Sequence, residues 1–308
     1  MSGRRRVSEW QMFRRNIELF TLSLPGVLYT IIFAYLPLVG LVLAFKNYRF
    51  DKGIWGSEWV GFTNFKFFFT SETAYIVTRN TILYNVAFIV LGLAASLLVA
   101  ILLNEISRRS VKVHQTTMFL PYFLSWVVIS YIVTAFLDHD QGYLNQVLTG
   151  FGIDPVYWYN ESIYWPAILI IVSLWKGIGF SALVYYAGII GIDSSYYEAA
   201  RIDGATKIQM AFRITLPLLA PLISILLIMS IGGIFRADFG LFYFIPNDSS
   251  FLYQVTDVVD TYTFRALKKV GDLGMSTAVG LYQSVVGLVL VIISNWIIKR
   301  INDENSLW

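Results

Sequence analysis

Six stretches, free of charge or nearly so, decide what this chain can fold into: residues 19–45, 80–104, 115–137, 162–192, 214–235 and 273–298. Each is longer than the roughly 20 residues that cross a hydrocarbon core at about 1.5 Å of rise per residue. No water reaches that core, so every backbone N–H and C=O must be paired inside the protein, as a helix pairs them. The expectation is an all-α, polytopic membrane protein with six transmembrane helices. Hydrophobic residues at 56% and charged residues at 14% lie outside the usual balance of a soluble domain, in agreement with that expectation. The first stretch is too long for a cleaved signal peptide and lacks a small-residue cleavage site, so it is expected to stay. The organisation expected is a basic N-terminal segment over residues 1–16, a six-helix domain over 17–301 and a short tail over 302–308.

An even number of spans returns both termini to one side. That side collects Arg4, Arg5, Arg6, Arg14 and Arg15, then Arg108, Arg109 and Lys112, then Arg201, Lys207 and Arg213, and finally Lys299 and Arg300. The other side holds fewer Lys and Arg, so the positive-inside rule puts both termini in the cytoplasm. The N-terminal arginines, beside Trp10, Met12 and Phe13, are expected to lie on anionic membrane lipid. Outside, Phe65, Phe67, Phe68 and Phe69 suit an aromatic belt at the headgroups. The second stretch carries Gly92, Ala94, Ala95, Ser96 and Ala100, small residues that let another helix come close.

Catalytic chemistry is not expected. The absence of cysteine removes disulfides, thiolate metal sites and thiol nucleophiles. The two histidines, His114 and His139, form no H-E-x-x-H, and neither a phosphate-binding loop nor a G-x-S-x-G elbow occurs. The chain should therefore hold no catalytic residue, no metal and no cofactor of its own. A net charge of +3 gives no reason to expect nucleic acid as a partner.

Residues 193–217 form a polar, charge-bearing interruption between the fourth and fifth stretches. Ser195 and Glu198 have the S-x-x-E spacing of a capping box, which predicts a helix from near Tyr196. Gly204 permits a bend, a second helix is expected over 205–213, and Pro217 biases the chain before it away from helical geometry. The prediction is helix, bend, helix, stop.

Other polar groups need an account. Lys176 lies in the middle of the fourth stretch. A lysine there costs about 2.5 to 3.5 kcal/mol on insertion scales, so it should face protein or water. Contact with a polar ligand or partner helix, and a snorkelling side chain or structural ion pair, both stand at this point. Arg236 and Asp238 are expected to pair locally. Asp257, Asp260, Thr261 and Tyr262 suit a hydroxyl-rich ligand, a docking protein or a solvated loop.

Residues 198–217 resemble the EAA loop of ABC importer membrane subunits, whose pattern is E-A-A, three residues, G, nine residues, I, any residue, L-P. Glu198, Ala199, Ala200, Gly204, Ile214, Leu216 and Pro217 meet every fixed position. The I-D-G-A at 202–205 looks like the carbohydrate-uptake branch, MalF-like and LplB-type. The strings at 60–65, 119–123, 260–265 and 278–284 extend that resemblance over nearly the full length. It implies a type I (MetI-like) importer permease fold. It also implies a second permease subunit, two ATPase subunits that bind ATP and Mg, and an extracytoplasmic solute-binding protein. In that setting Glu198, Ala199, Ala200, Arg201, Asp203, Gly204, Lys207, Leu216 and Pro217 would couple to the ATPase, with Gln209 also offering a contact. Glu198 has two readings, ATPase contact and helix cap.

The cargo implied is an oligosaccharide or polysaccharide fragment, moved by alternating access. Sugars stack their C–H faces on aromatic rings and bond through hydroxyls. Trp126, Tyr131, Trp175, Lys176, Tyr185, Tyr186 and Gln283 are therefore candidate lining residues. Two rivals remain at this point: a permease for a non-sugar solute such as a peptide or amino acid, and a non-transporting scaffold or sensor subunit.

Overall fold

A computed structural model describes residues 16–66 and 70–301. The basic segment before Asn16, the ring cluster at Phe67, Phe68 and Phe69, and the tail over 302–308 lie outside the described residues. The described residues form two compact units, one that ends at Phe65 and takes in Asp272–Leu281, the other made of the remaining described residues.

In the first unit, α1 spans Ile17–Phe45, and only 6% of its most apolar window is buried. It is α-helical to Thr30, widens to a π turn over Ile31–Tyr35 and tightens to a 3-10 form over Leu36–Phe45. Pro37 begins the tightened part, where its missing N–H and ring break the regular ladder. Two short strands follow, β1 (Lys46–Asn47) and β2 (Glu58–Trp59), antiparallel with Lys46 opposite Trp59. Asn64 Nδ2 donates to the carbonyls of Ala44 and Lys46, each at 3.0 Å. Lys46 Nζ donates to Ile54 O at 2.9 Å and Trp55 O at 3.0 Å. The hairpin is thus held by side chains that satisfy carbonyls the strands leave open.

In the second unit, α2 covers Glu72–Glu105, and Ser71 caps its start by accepting from the Ala74 N–H. The third apolar stretch is not one straight helix. It breaks into α3 (Arg108–Phe123) and α4 (Trp126–Leu137), bent by 99°. Two adjacent residues supply the physical reason: the extended backbone of Leu124 stops α3, and the Ser125 hydroxyl accepts from Val128 N–H to start α4. Next come α5 (Tyr143–Gly150), α6 (Trp165–Ile190), α7 (Ser194–Ile202) and α8 (Lys207–Gly232). Short helices α9 (Phe239–Phe244) and α10 (Val259–Arg265) precede α11 (Leu273–Ile301). Among the described residues, five helices are long and apolar enough to cross a membrane, or six if the bent pair counts as one span.

Small residues set the packing. A Cβ added at Gly179 would lie 1.9 Å from Met118 O, so α6 meets the backbone of α3 directly. One added at Gly188 would lie 2.7 Å from a Leu219 methyl, which brings α8 equally close. The small residues of α2 receive α6: Gly92 faces Leu174, and Ala100 is buried with Tyr185, Ile189 and Leu219. Close backbone approach replaces the hydrophobic effect as the basis of helix association where the surroundings are lipid.

Candidate functional site

The α7–α8 corner is built from two caps back to back. Asp193, not Ser195, is the N-cap of α7: its carboxylate accepts from Ser195 N–H at 2.9 Å. The expected Ser195–Glu198 capping box is therefore absent, because α7 starts earlier, at Ser194, and both residues lie inside it. That hydrogen bond holds the Asp193 carboxyl below the usual carboxylate range. At the other end Gly204 takes φ +78°, with Ala205 N bonded to Ala200 O at 2.9 Å and Gly204 N to Arg201 O at 3.1 Å. These are the two bonds of a Schellman stop. A Cβ at Gly204 would meet nothing within 4 Å, so the left-handed backbone, not space, selects glycine there.

The capping box falls eight residues beyond Glu198, at Thr206 and Gln209. Thr206 N donates to Gln209 Oε1 at 2.8 Å and Gln209 N to Thr206 Oγ1 at 3.3 Å. The T-x-x-Q spacing at 206–209 was the sequence signal for it. The following π turn, Ala211–Thr215, leads into Leu216 and Pro217, so the helix does not stop at Pro217 as expected but widens before it. A proline near the start of an α segment has no N–H to satisfy, and the π turn absorbs its ring.

Glu198, Ala199, Arg201, Asp203 and Gly204 are exposed, Ala200 and Leu216 half-buried, and Pro217 exposed. Lys207 does not stand alone: Nζ lies 2.5 Å from Glu105 Oε2 at the C-terminal end of α2. Gln209 is occupied in its cap. The corner also carries apolar side chains that reasoning from charge missed. Ile202 is 87% exposed and Ile208 72%, with Tyr196 and Phe212 also exposed. Their signal was an apolar residue at a polar turn, where burial in the chain itself could not be the reason.

The candidate lining residues do not form one set. Lys176 Nζ donates to Leu124 O at 2.6 Å, Tyr122 O at 2.9 Å and Pro121 O at 3.4 Å, and lies 5.1 Å from the Trp126 ring. It meets the open carbonyl end of α3, where the helix dipole favours a cation. Trp126 Nε1 donates to Asp238 Oδ2 at 2.9 Å. Tyr185 is buried between α2, α6 and α8, with Tyr186 packed beside that cluster. Tyr131 and Trp175 are exposed. Gln283 is buried and donates to Phe235 O at 2.6 Å.

A cleft of about 520 Å³ opens between α2, α6 and α8. Phe88 and Phe180 give it aromatic walls, and Asn85, Ser96, Ser181, Tyr185 and Ser230 give it polar groups. Ser96 Oγ is buried there without a hydrogen-bond partner. Of the sequence candidates, Tyr185 alone lines this cleft; Ser96 reads in sequence as a packing residue.

The segment between α8 and α11 is neither solvated loop nor open ligand site. Arg265 Nη1 lies 2.8 Å from Asp248 Oδ1, and Nη2 pairs with Asp257, whose Oδ1 accepts from Thr261 at 2.5 Å. Burial pushes the Asp257 and Asp260 carboxyls up, against the lowering effect of their partners. Asp260 accepts from Ala237 N at 2.7 Å and from Gln283 Nε2 at 3.3 Å. Arg236 and Asp238 do not pair with each other as expected. Arg236 donates to Ser284 Oγ at 2.9 Å, and Asp238 caps α9 through Gly240 N at 2.9 Å.

This helical architecture is shared with the membrane subunits of transport systems. Residues 89–303 match the family described as binding-protein-dependent transport system inner membrane component. The chain is 33% identical to Protein LplB of Bacillus subtilis (strain 168) over 299 residues, covering 97% of this chain and 93% of that one. It is 33% identical over 287 residues to the polygalacturonan/rhamnogalacturonan transport system permease protein YteP of the same organism, covering 93% and 89%. A chain in the crystal structure of a bacterial alginate ABC transporter, in complex with alginate pentasaccharide-bound periplasmic protein, matches with TM-score 0.86 and 32% identity, covering 95% of this chain and 98% of that chain. The chain belongs to the binding-protein-dependent transport inner membrane component family. Its fold is that of a MetI-like ABC importer permease, as the E-A-A residues implied.

Proposed function

We propose that this chain is one of two permease subunits of an ATP-driven importer of oligosaccharides or polysaccharide fragments. A solute-binding protein delivers the cargo from outside, and two ATPase subunits, which bind ATP and Mg, act on the α7–α8 corner in the cytoplasm. Both termini are cytoplasmic, on the Lys and Arg bias of the sequence. The observation that carries the coupling reading is Ile202, an isoleucine 87% exposed on a corner otherwise made rigid by caps. Tyr196, Ile208 and Phe212 are also exposed on this corner, together with the charged Glu198, Arg201 and Asp203.

The cargo reading is supported by what YteP and the alginate transporter are said to carry, and by the chemistry of the α2–α6–α8 cleft. Aromatic faces beside hydroxyl and amide groups suit a sugar ring, and the unpartnered Ser96 hydroxyl gains a partner when a polyol enters. ATP binding closes the ATPase dimer, moves the corner and turns the cleft from one side of the membrane to the other.

Reconstitution tests this. Vesicles holding this chain, a second permease and the ATPases, supplied with binding protein, should accumulate labelled oligogalacturonides or alginate oligosaccharides only with ATP. Accumulation of peptides alone would overturn the cargo, and no accumulation of any solute would favour a scaffold or sensor role.

A further inference from the structure

The α7–α8 corner contains a side-chain strut that none of its E-A-A positions supplies. Tyr197, half-buried on α7, places its hydroxyl 3.0 Å from Thr215 Oγ1 in the π turn of α8. Thr215 is buried, and its hydroxyl also donates to Met210 O at 3.5 Å, five residues back. Either hydroxyl can be the donor across the corner. The strut joins α7 to the one stretch of α8 whose ladder is already widened, immediately before Pro217. A π turn is a place where a helix changes register at low cost, and such turns cluster at functional sites. Lys207 also ties the start of α8 to Glu105 of α2, through a largely solvated lysine side chain and a partly covered carboxylate. The Tyr197–Thr215 contact is the more sheltered of the two, and it spans the bend directly.

We infer that Tyr197 and Thr215 are positioning residues for coupling: their hydrogen bond makes α7 and the π turn of α8 move as one piece when the ATPase moves α7. This rests on the proposed importer reading. Neither residue is assigned to touch ATPase or cargo; each acts by carrying displacement from α7 to the base of α8.

The test uses the reconstituted complex and the ratio of saccharide accumulated to ATP hydrolysed, with oligogalacturonides and alginate oligosaccharides as probes. Losing one hydrogen bond should lower that ratio about fivefold in Tyr197→Phe and in Thr215→Val, with ATPase subunits still bound. Thr215→Ser should keep the wild-type ratio, and the Tyr197→Phe/Thr215→Val double variant should fall no further than the worse single variant. A second reading needs no cargo: the distance between spin labels at Ser194, at the start of α7, and Leu218 in α8, both exposed. It should stay narrow through ATP binding in the wild type and broaden in Tyr197→Phe. Wild-type ratios in both single variants, or an unchanged narrow distance in Tyr197→Phe, would overturn the strut. Wild-type vesicles that accumulate neither saccharide would instead count against the cargo reading, and the distance measurement would still decide the strut.

Discussion

Lys176 Nζ lies 2.6 Å from the carbonyl oxygen of Leu124, in the two-residue gap where α3 ends and α4 turns away by 99°. The ammonium occupies the carbonyl end that the break leaves open, so charge and break depend on each other. Lys176→Met removes a charged donor from three carbonyls and should destabilise the purified permease by about 1.5–3 kcal/mol, read as a lowered melting temperature. Lys176→Arg should retain part of that loss. A Lys176→Met variant as stable as the parent would mean that water serves the carbonyls equally well.

Gly204 separates two explanations of a glycine. If its φ of +78° selects it, Gly204→Ala costs about 1–2 kcal/mol and Gly204→Asn costs less, because asparagine visits the left-handed region more readily. If crowding selected it, the larger asparagine would be worse than alanine. Amide exchange at Ala205, whose N–H closes the Schellman stop, reports the order.

Asp193 predicts a pH response at the start of α7. Its folded pKa is depressed by the Ser195 N–H, so its capping contribution is complete above the ordinary value of 3.8 and is lost as pH falls through the lower folded value. Exchange at the Ser195 amide should accelerate, beyond its intrinsic rate, only below that ordinary value. Asp193→Asn should cap without the acid-side loss, and an identical acid response in that variant would contradict the assignment.

Arg265 holds two carboxylates, Asp248 and the buried Asp257. Arg265→Met strands the Asp257 charge and should cost about 3–5 kcal/mol. Adding Asp257→Asn removes that charge and should restore part of the loss. A double variant no more stable than Arg265→Met would show that packing, not charge, dominates there.

The apolar runs made the helices legible because spanning length and charge exclusion are both written along the chain. The break at Leu124–Ser125 is less visible, because the role of Ser125 as a cap depends on the backbone around it. At the corner, S-x-x-E at Ser195 outcompeted the true signals, Asp193 and T-x-x-Q at 206–209, since each fits a cap in isolation and only the chain's path chooses. Asp257, Asp260 and Gln283 give no sign of burial in the sequence, because the partners that satisfy them lie on other elements. The Ser96 hydroxyl was hidden by the same logic, a small residue on a packing face that opens on a cleft only once α6 and α8 are in position.

The absence of cysteine makes the exposed α7–α8 corner directly measurable. A single cysteine at Ile202, at the far end of α6 from a control cysteine at the exposed Ile163, can be labelled with a membrane-impermeant maleimide in detergent-solubilised permease. Assembly with the ATPase subunits should protect Cys at 202 and leave Cys at 163 as reactive as before. Equal labelling at 202 with and without the ATPases would contradict the claim that this corner is where the energy enters.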